Sequence, residues 1–395
     1  MKAYRYILFL LVMTTFTACS DGIALLPEGD HDELATVNIQ VSTRVNDGPD
    51  SNMDEDEGIK TLRIIVVDEN WQIIENWYQE NLGGADGKTE EQTVSLRLPR
   101  QKVRFLAIAN EMSMGRRFDT PTLMADPGLN YKQYGLKEIF NRAWDDATPA
   151  FPKTAAQYQT FQKEDNEMIP VNTIEALGLP MTGVRGASDI FTDEGDAEIH
   201  HDYNKELYED TGESPIDLTS VSSLSLEIPL VRCVSKLVVK VTNAMDNDLI
   251  IHSVRFGRFF ADKVFYYAHD PLHMPGETSP TNWIFRFAEN SPQEVKSNSE
   301  STIVFVGYIY PTSLPRGETT NPPYRYSIAL ESNVEATSTY TVFLQKKTDS
   351  ETTDIGRNKL VVIDCTVNVH SMQINNLQLI VLPWDKANEN KIIFN

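Results

Sequence analysis

Runs in which apolar and polar residues alternate one for one recur along this chain, and a period of two fits extended strands with one buried face. The cleanest is A-T-V-N-I-Q-V-S-T-R, from Ala35 to Arg44, where Val37, Ile39 and Val41 point one way and Asn38, Gln40 and Ser42 the other. Ile59 to Val67, the turn Asp68-Glu69-Asn70 and Trp71 to Tyr78 read as a hairpin. Thr93 to Leu98 and Val103 to Ala109 follow as two more strands. The longest strand pattern is Leu224 to Thr242. Pro229 and a change of phase near Arg232 divide it into two successive strands, which places a domain boundary near Cys233. Beyond it lie Leu249 to Phe256, Trp283 to Phe287, Ser301 to Tyr310, Tyr324 to Leu330, Thr339 to Lys346, Leu360 to His370 and Leu377 to Leu382.

At 395 residues the chain exceeds the usual size of one hydrophobic core. With strands at this spacing, it is expected to be all-β with a minor helix, built as two antiparallel β-sandwich domains in tandem. The helix is predicted over Leu129 to Asp146, where Tyr131, Tyr134, Leu136, Ile139, Phe140 and Trp144 recur at steps of one to four ahead of Pro149. Thr148 to Ser214 is polar with scattered aromatics and reads as loops and short strands around G-L-P-M-T-G at Gly178 to Gly183.

The first residues read as an address. Lys2 and Arg5 form a basic start, Ile7 to Phe16 an apolar stretch too short for a permanent span, and Phe16-Thr17-Ala18 brings small residues up to Cys19. That is the pattern of a lipoprotein signal peptide over 1–18, with Cys19 lipidated after cleavage; ordinary secretion is the alternative. Sulfur is required there because the diacylglyceride is joined through a thioether, and several acyl chains on one residue supply a stable anchor. Asp21 to Glu33 then reads as an acidic tether. Val45 to Gly58, rich in Asp, Asn, Glu, Gly and Pro, cannot pack a core and reads as a protease-accessible loop.

A net charge of −22 and a pI near 4.7 argue against nucleic acid and anionic membrane surfaces as partners, since both would repel the chain. His200-His201-Asp202, and His269-Asp270 with His273, lack metal-ligand spacing, and Asp54 to Glu57 lacks the alternation of a calcium loop. No nucleophile elbow, P-loop or dinucleotide fingerprint is present, so no catalytic residue, metal or cofactor is expected and the chain is read as a non-enzyme. Cys233 and Cys365, both in alternating strands, read as buried small hydrophobes; a disulfide between them is the alternative in an exported protein.

The motif at Cys19, T-V-N-I-Q-V-S-T ending at Arg44, I-K-T-L-R-I-I-V-V-D, F-L-A-I-A-N, L-P-M-T-G, V-R-C-V-S-K-L-V-V-K-V and a terminal strand closing in V-L-P-W occur in one order over nearly the whole chain. In these pieces the chain resembles the fimbrillin family, the type V pilin subunits of Bacteroidales. The resemblance implies transthyretin-like sandwiches, export as an outer-membrane lipoprotein precursor, cleavage by an arginine-specific surface protease, and a mature form in a fimbrium on the cell surface that mediates adhesion. Carried over by position, Arg44 precedes the cut bond and Val45 begins the mature subunit. The expected divisions are 1–18 signal peptide, 19–44 propeptide with a removable first strand, 45–233 first sandwich and 234–395 second sandwich with a donor tail.

Loss of Val37, Ile39 and Val41 would leave a groove with unpaired strand edges that recruits another strand. The donor would be the C-terminal segment of another subunit: Leu377, Leu379 and Val381 alternate correctly, and Ile392, Ile393 and Phe394 add an apolar tip after a polar hinge. Such head-to-tail contact builds an open homopolymer, with anchor and tip pilins at its ends. In the alternative, L-Q-L-I-V-L-P-W completes the second sandwich in place. Arg63, Arg97, Arg100 and Arg116 also offer arginine sites, and only position singles out Arg44, between an isolated strand and a polar loop. Two competing readings remain: a tip or anchor subunit, and a non-polymerising lipidated surface protein that binds a glycan or host ligand through aromatics such as Trp71, Trp77 and Tyr78.

Overall fold

A computed structural model of the chain describes residues 34–43, 58–82, 89–114, 151–152, 158–163, 168–169, 177–187, 207–210, 212–257, 259, 267, 282–311, 326–333, 338–342, 355–367 and 374–383. These residues are organised as β-strands, and none of their helices is long and apolar enough to cross a membrane. The helix expected over Leu129 to Asp146 lies outside the described residues, as do the histidine groups and Asp54 to Glu57.

The first half contains β1 (Leu34–Thr43), β2 (Leu62–Asp68), β3 (Ile73–Gln79), β4 (Glu91–Pro99), β5 (Lys102–Ala109), β6 (Phe151–Pro152), β7 (Tyr158–Lys163), β8 (Met168–Ile169), β9 (Met181–Arg185), β10 (Ile216–Asp217) and β11 (Ser223–Arg232). The second contains β12 (Ser235–Asn243), β13 (Leu249–Gly257), β14 (Asn282–Phe287), β15 (Gln293–Val295), β16 (Thr302–Ile309), β17 (Tyr326–Ser332), β18 (Ser338–Val342), β19 (Lys359–Val367) and β20 (Ile374–Pro383).

Strands of the first half pair in the order β3-β2-β5-β9-β11-β1-β4. The hairpin β2–β3 turns where the Asp68 carboxylate accepts hydrogen bonds from the Asn70 and Gln72 amides. Partway along the order, β11 changes partners: its residues up to Leu230 pair with β1, and Val231 and Arg232 pair with β9. One strand thereby serves both faces of a sandwich whose core includes Val37, Ile39, Ile64, Val66, Phe105 and Ile228. Where β9 passes β11 there is no room for a side chain. A Cβ on Gly183 would stand 2.7 Å from Ile228 Cγ2 and 2.7 Å from the Pro229 carbonyl oxygen, so glycine is required by close approach.

The second core lies between one sheet ordered β20-β19-β12-β16-β6 and another ordered β18-β17-β13-β14-β7-β8, with β15 on β13. Phe256 packs against Phe305, Phe285 and Phe259 at ring-centroid distances of 4.9, 5.6 and 5.8 Å. The sheets do not sort by sequence half: β6 pairs with β16, and β7 pairs with β14, so strands from 151–163 extend both sheets of the second sandwich. Polar sequence hides that role. Among the described strands two pairs run parallel, β1 with β11 and β12 with β19, and the rest antiparallel.

Only Cys233 and Val234 separate β11 from β12, and the junction is tied down on both sides. The Arg232 guanidinium donates to Asn358 Oδ1 at 2.8 Å, the Asn358 amide to the Val234 carbonyl at 3.0 Å, and the Cys233 amide to the Pro180 carbonyl at 2.8 Å. Tyr267 donates its hydroxyl to the Ala107 carbonyl at 3.3 Å, and its own carbonyl accepts from Arg357 at 2.7 Å, so it links the two halves. Cys233 and Cys365 are both buried free thiols, so the disulfide alternative is not realised. Burial raises the pKa of each above the ordinary thiol value.

Gly183→Ala is expected to destabilise the protein by about 1–3 kcal/mol, read as a lowered midpoint of thermal unfolding by circular dichroism. Because a raised pKa depletes the reactive thiolate, iodoacetamide at mildly alkaline pH should label neither Cys233 nor Cys365 in the folded protein and both in urea.

Candidate functional site

The candidate site is the seat of β1. Its exposure alternates along all ten residues, with Ala35, Val37, Ile39 and Val41 fully buried and Thr36, Asn38, Gln40 and Ser42 half-buried on the other face. Each of the three larger apolar side chains contributes about 1.5–3 kcal/mol by leaving water. Thr43 Oγ1, at the end of the strand, is buried with no hydrogen-bond partner among the described residues.

Both edges of β1 are paired. On one side it runs parallel to β11, with Val37 opposite Leu224, Ile39 opposite Leu226 and Val41 opposite Ile228. On the other it runs antiparallel to β4, with Val37 opposite Leu96 and Ile39 opposite Val94. Flanking bonds extend both ladders: the Thr36 amide donates to Ser222 O at 3.0 Å, and the Thr43 amide to Glu90 O at 2.8 Å. This is an interior strand position, although β1 is the first strand in sequence among the described residues.

After β1 the described chain resumes at Gly58, and one side chain fixes that point. Asn110, at φ 55°, accepts at Oδ1 from the Lys60 and Thr61 amides at 2.9 and 3.1 Å, and its Nδ2 donates to Gly58 O at 3.1 Å and Leu179 O at 2.7 Å. The Ile59 amide also donates to Thr89 O at 2.8 Å. Beside this clamp Arg63 and Glu111, 1% and 0% exposed, form a two-point ion pair at 2.8 and 2.9 Å. Arg63 also donates to Asn76 Oδ1 at 2.7 Å and lies 4.4 Å from the centre of the Tyr78 ring. The chain leading to β11 is shaped by Asp217, whose carboxylate accepts from the Thr219 hydroxyl and amide; those bonds hold its pKa below the ordinary carboxylate range.

Val37, Ile39 and Val41 thus occupy one seat together. Cys19, Arg44, Val45, Ile392 and Phe394 lie outside the described residues. Leu377, Leu379 and Val381 fall on β20, opposite Cys365, Ile363 and Val361 of β19, in a different sheet from the seat of β1. Of the other arginines, Arg63 is buried, Arg97 is held in the β4 ladder opposite Thr36, and Arg100 sits in the turn between β4 and β5. The aromatics considered as a ligand platform are engaged elsewhere. Trp71 lies 4.8 Å from the Arg104 guanidinium, Trp77 packs on the first core, and Tyr78 stacks on Arg63. No group of three or more potential metal ligands occurs among the described residues.

Sequence reasoning did not find the two neighbours of β1 or the Asn110 clamp. F-L-A-I-A-N carries a partial signal, since asparagine after a buried strand is a residue that tolerates positive φ and can bond to nearby backbone.

No family model and no curated protein matches the chain. Among solved structures it is similar to the tip fimbrial protein Mfa3 from Porphyromonas gingivalis, at 11% identity over 89% of this chain and 100% of that one, with a TM-score of 0.44. It is also similar to a fimbrial assembly protein from Parabacteroides distasonis, at 12% identity over 88% of this chain and 95% of that one, with a TM-score of 0.43. A fimbrilin from Porphyromonas gingivalis is a third, at 12% identity over 89% of this chain and 97% of that one, with a TM-score of 0.40.

Ile39→Ala should lower stability by about 2–5 kcal/mol, because the seat cannot collapse around the missing atoms. Asn38→Ala, one residue away on the outer face, should change it by no more than about 0.5 kcal/mol, and urea unfolding of both variants checks the contrast.

Proposed function

We propose that this chain is a fimbrial subunit, made as a lipoprotein precursor and polymerised by protease-triggered donor-strand exchange. The observation that carries this reading is the interior seat of β1. A strand paired on both edges leaves two unpaired ladders and an apolar trench when it departs, and such a trench is best filled by another extended segment.

In this reading Cys19 carries the lipid that holds the precursor at the outer membrane, and an arginine-specific surface protease cuts between Arg44 and Val45. Residues 45–57 then form the new N-terminal arm, and the Asn110 clamp keeps the body anchored from Gly58 onward. Val37, Ile39 and Val41 leave with the released strand. Their positions are taken by a neighbouring subunit's Leu377, Leu379 and Val381, which repeat the same two-residue spacing, with Ile392 and Phe394 as an apolar tip. The joint is head-to-tail, so subunits add into an open filament closed by anchor and tip pilins. Adhesion is the work of that filament at the cell surface. The divisions 1–18, 19–44, 45–233 and 234–395 belong to the same reading; β6 and β7, which pair with the second sandwich, add an exchange of strands between its two body segments.

A second reading is favoured by one observation. β20 is paired with β19 from Lys359 opposite Pro383 to Val367 opposite Ile374, which supports a tip-type subunit that receives a strand and keeps its own C-terminal strand at home. The engaged positions of Trp71, Trp77 and Tyr78 weigh against a ligand platform there.

Treatment of the precursor, begun at Ser20, with an arginine-specific protease should yield Val45 as the new N-terminus and SDS-resistant ladders. Arg44→Ala should abolish both. A cut elsewhere, or a cut product that stays monomeric, sinks the polymer reading. Deleting Leu377 to Asn395 should permit cleavage and stop ladder formation in a stalk subunit. Cleavage without ladders from the intact chain, together with growth of ladders when a donor-competent subunit is added, identifies the tip.

A further inference from the structure

We propose that the seat of β1 closes on itself: once β1 has gone, β4 crosses the vacated lane and pairs directly with β11. The inference rests on the reading that β1 is removed, and it adds a state between removal and refilling.

Three observations carry it. First, β1 is the sole ladder partner of β4 among the described strands, so the departure of β1 orphans a whole edge of β4 that bears the buried residues Val94, Leu96 and Leu98. Those side chains cannot be left over an open trench without exposing both apolar surface and backbone groups.

Second, β4 is tethered at its two ends by structure that does not depend on β1. At one end the Thr89 hydroxyl bonds to Leu82 O and the Ile59 amide to Thr89 O; at the other, Gln101 bonds back to Pro99 O in the turn into β5, which stays in the ladder with β2 and β9. Only the strand between these tethers has to move, and by about one inter-strand spacing, roughly 4.8 Å.

Third, the faces match. Residues of β4 and β11 that meet the same residue of β1 become direct partners on closure, in an antiparallel ladder. Val94 and Leu226 both face Ile39, and Leu96 and Leu224 both face Val37, so apolar residues meet on the core side. Thr93 and Glu227 both face Gln40 and are exposed, so polar residues meet on the outer side. A mismatch of one residue would have put Val94 and Leu96 into solvent and forbidden the move.

The closed state competes with any incoming strand. It protects the processed subunit from filling its seat with unrelated segments, and it makes reopening a step that the true donor must drive.

The test uses the pair Thr93→Cys and Glu227→Cys in a chain begun at Ser20 with a site-specific protease sequence inserted after Arg44. In the uncut protein the two positions are separated by β1, about 9–10 Å apart, which is beyond disulfide reach; after closure they are direct neighbours. The protein is folded, cut at the inserted site, freed in mild denaturant of the N-terminal fragment that begins at Ser20 and carries β1, and returned to buffer with an oxidant. A 93–227 disulfide should form at least roughly tenfold faster than in the uncut protein, as the distance requires. The oxidised form should reject a synthetic 34–43 peptide that the reduced form accepts. A chain begun at Val45 should give the same cross-link by a second route. Equal cross-linking before and after strand removal, or unprotected amide exchange across 91–99 in the strand-free protein, overturns the proposal. Because the cut is made at an engineered site, the result does not depend on whether Arg44 is the natural cleavage point.

Discussion

A backbone amide or carbonyl buried in a sheet must find a partner, and the first sandwich depends on β1 to meet that demand twice over. β11 offers its edge in one direction and β4 in the other, so the ten residues from Leu34 to Thr43 join two strands that do not otherwise touch through hydrogen bonds. Burial of Val37, Ile39 and Val41 adds to the hold, but the geometry comes from the ladders. An outermost strand taken from a sheet would leave one raw edge; β1, paired on both sides, would leave two, facing each other. That difference separates a groove from a merely shortened sheet.

The second sandwich contains the same arrangement. β12 runs parallel to β19 and antiparallel to β16, as β1 does with β11 and β4. The difference lies in attachment. β12 follows β11 after two residues and leads into β13, whereas β1 is linked onward through 44–57. The clamp built by Asn110 and the buried Arg63–Glu111 pair lies on the body side of that link, so the body does not rely on the link to keep Gly58 to Arg63 in place.

Much of this was legible in the sequence because strand alternation is a local signal. Ala35 to Arg44 and Thr93 to Leu98 show it, and Val103 to Ala109 reads as a strand by its short apolar run; the structure places strands at all three within a residue or two. The break near Arg232 was readable from a change of phase, and β11 does end at that residue. Pairing is a different matter. Nothing in T-V-N-I-Q-V-S-T says that its neighbours are β11, almost two hundred residues later, and β4 in the opposite sense; register depends on contacts that no window of sequence contains. Tyr158 to Lys163 was illegible for a related reason, since a strand that adds to another domain's sheet needs no clean alternation to be held there. Asn110 looked like the end of a strand, and its four hydrogen bonds follow from a positive φ that sequence only hints at. Leu377, Leu379 and Val381 were found as a strand, but their partner β19 was not.

The junction between β11 and β12 has a mechanical consequence. With only Cys233 and Val234 between the strands, and Arg232, Asn358 and Pro180 fastening the joint, a pull delivered along β11 passes to β12 without first drawing out slack chain. The load then meets the parallel ladder of β12 with β19 as sliding stress along the strands, spread over many bonds at once. A chain wired in this way resists extension at this joint, because lengthening it means breaking many ladder bonds together and not one after another.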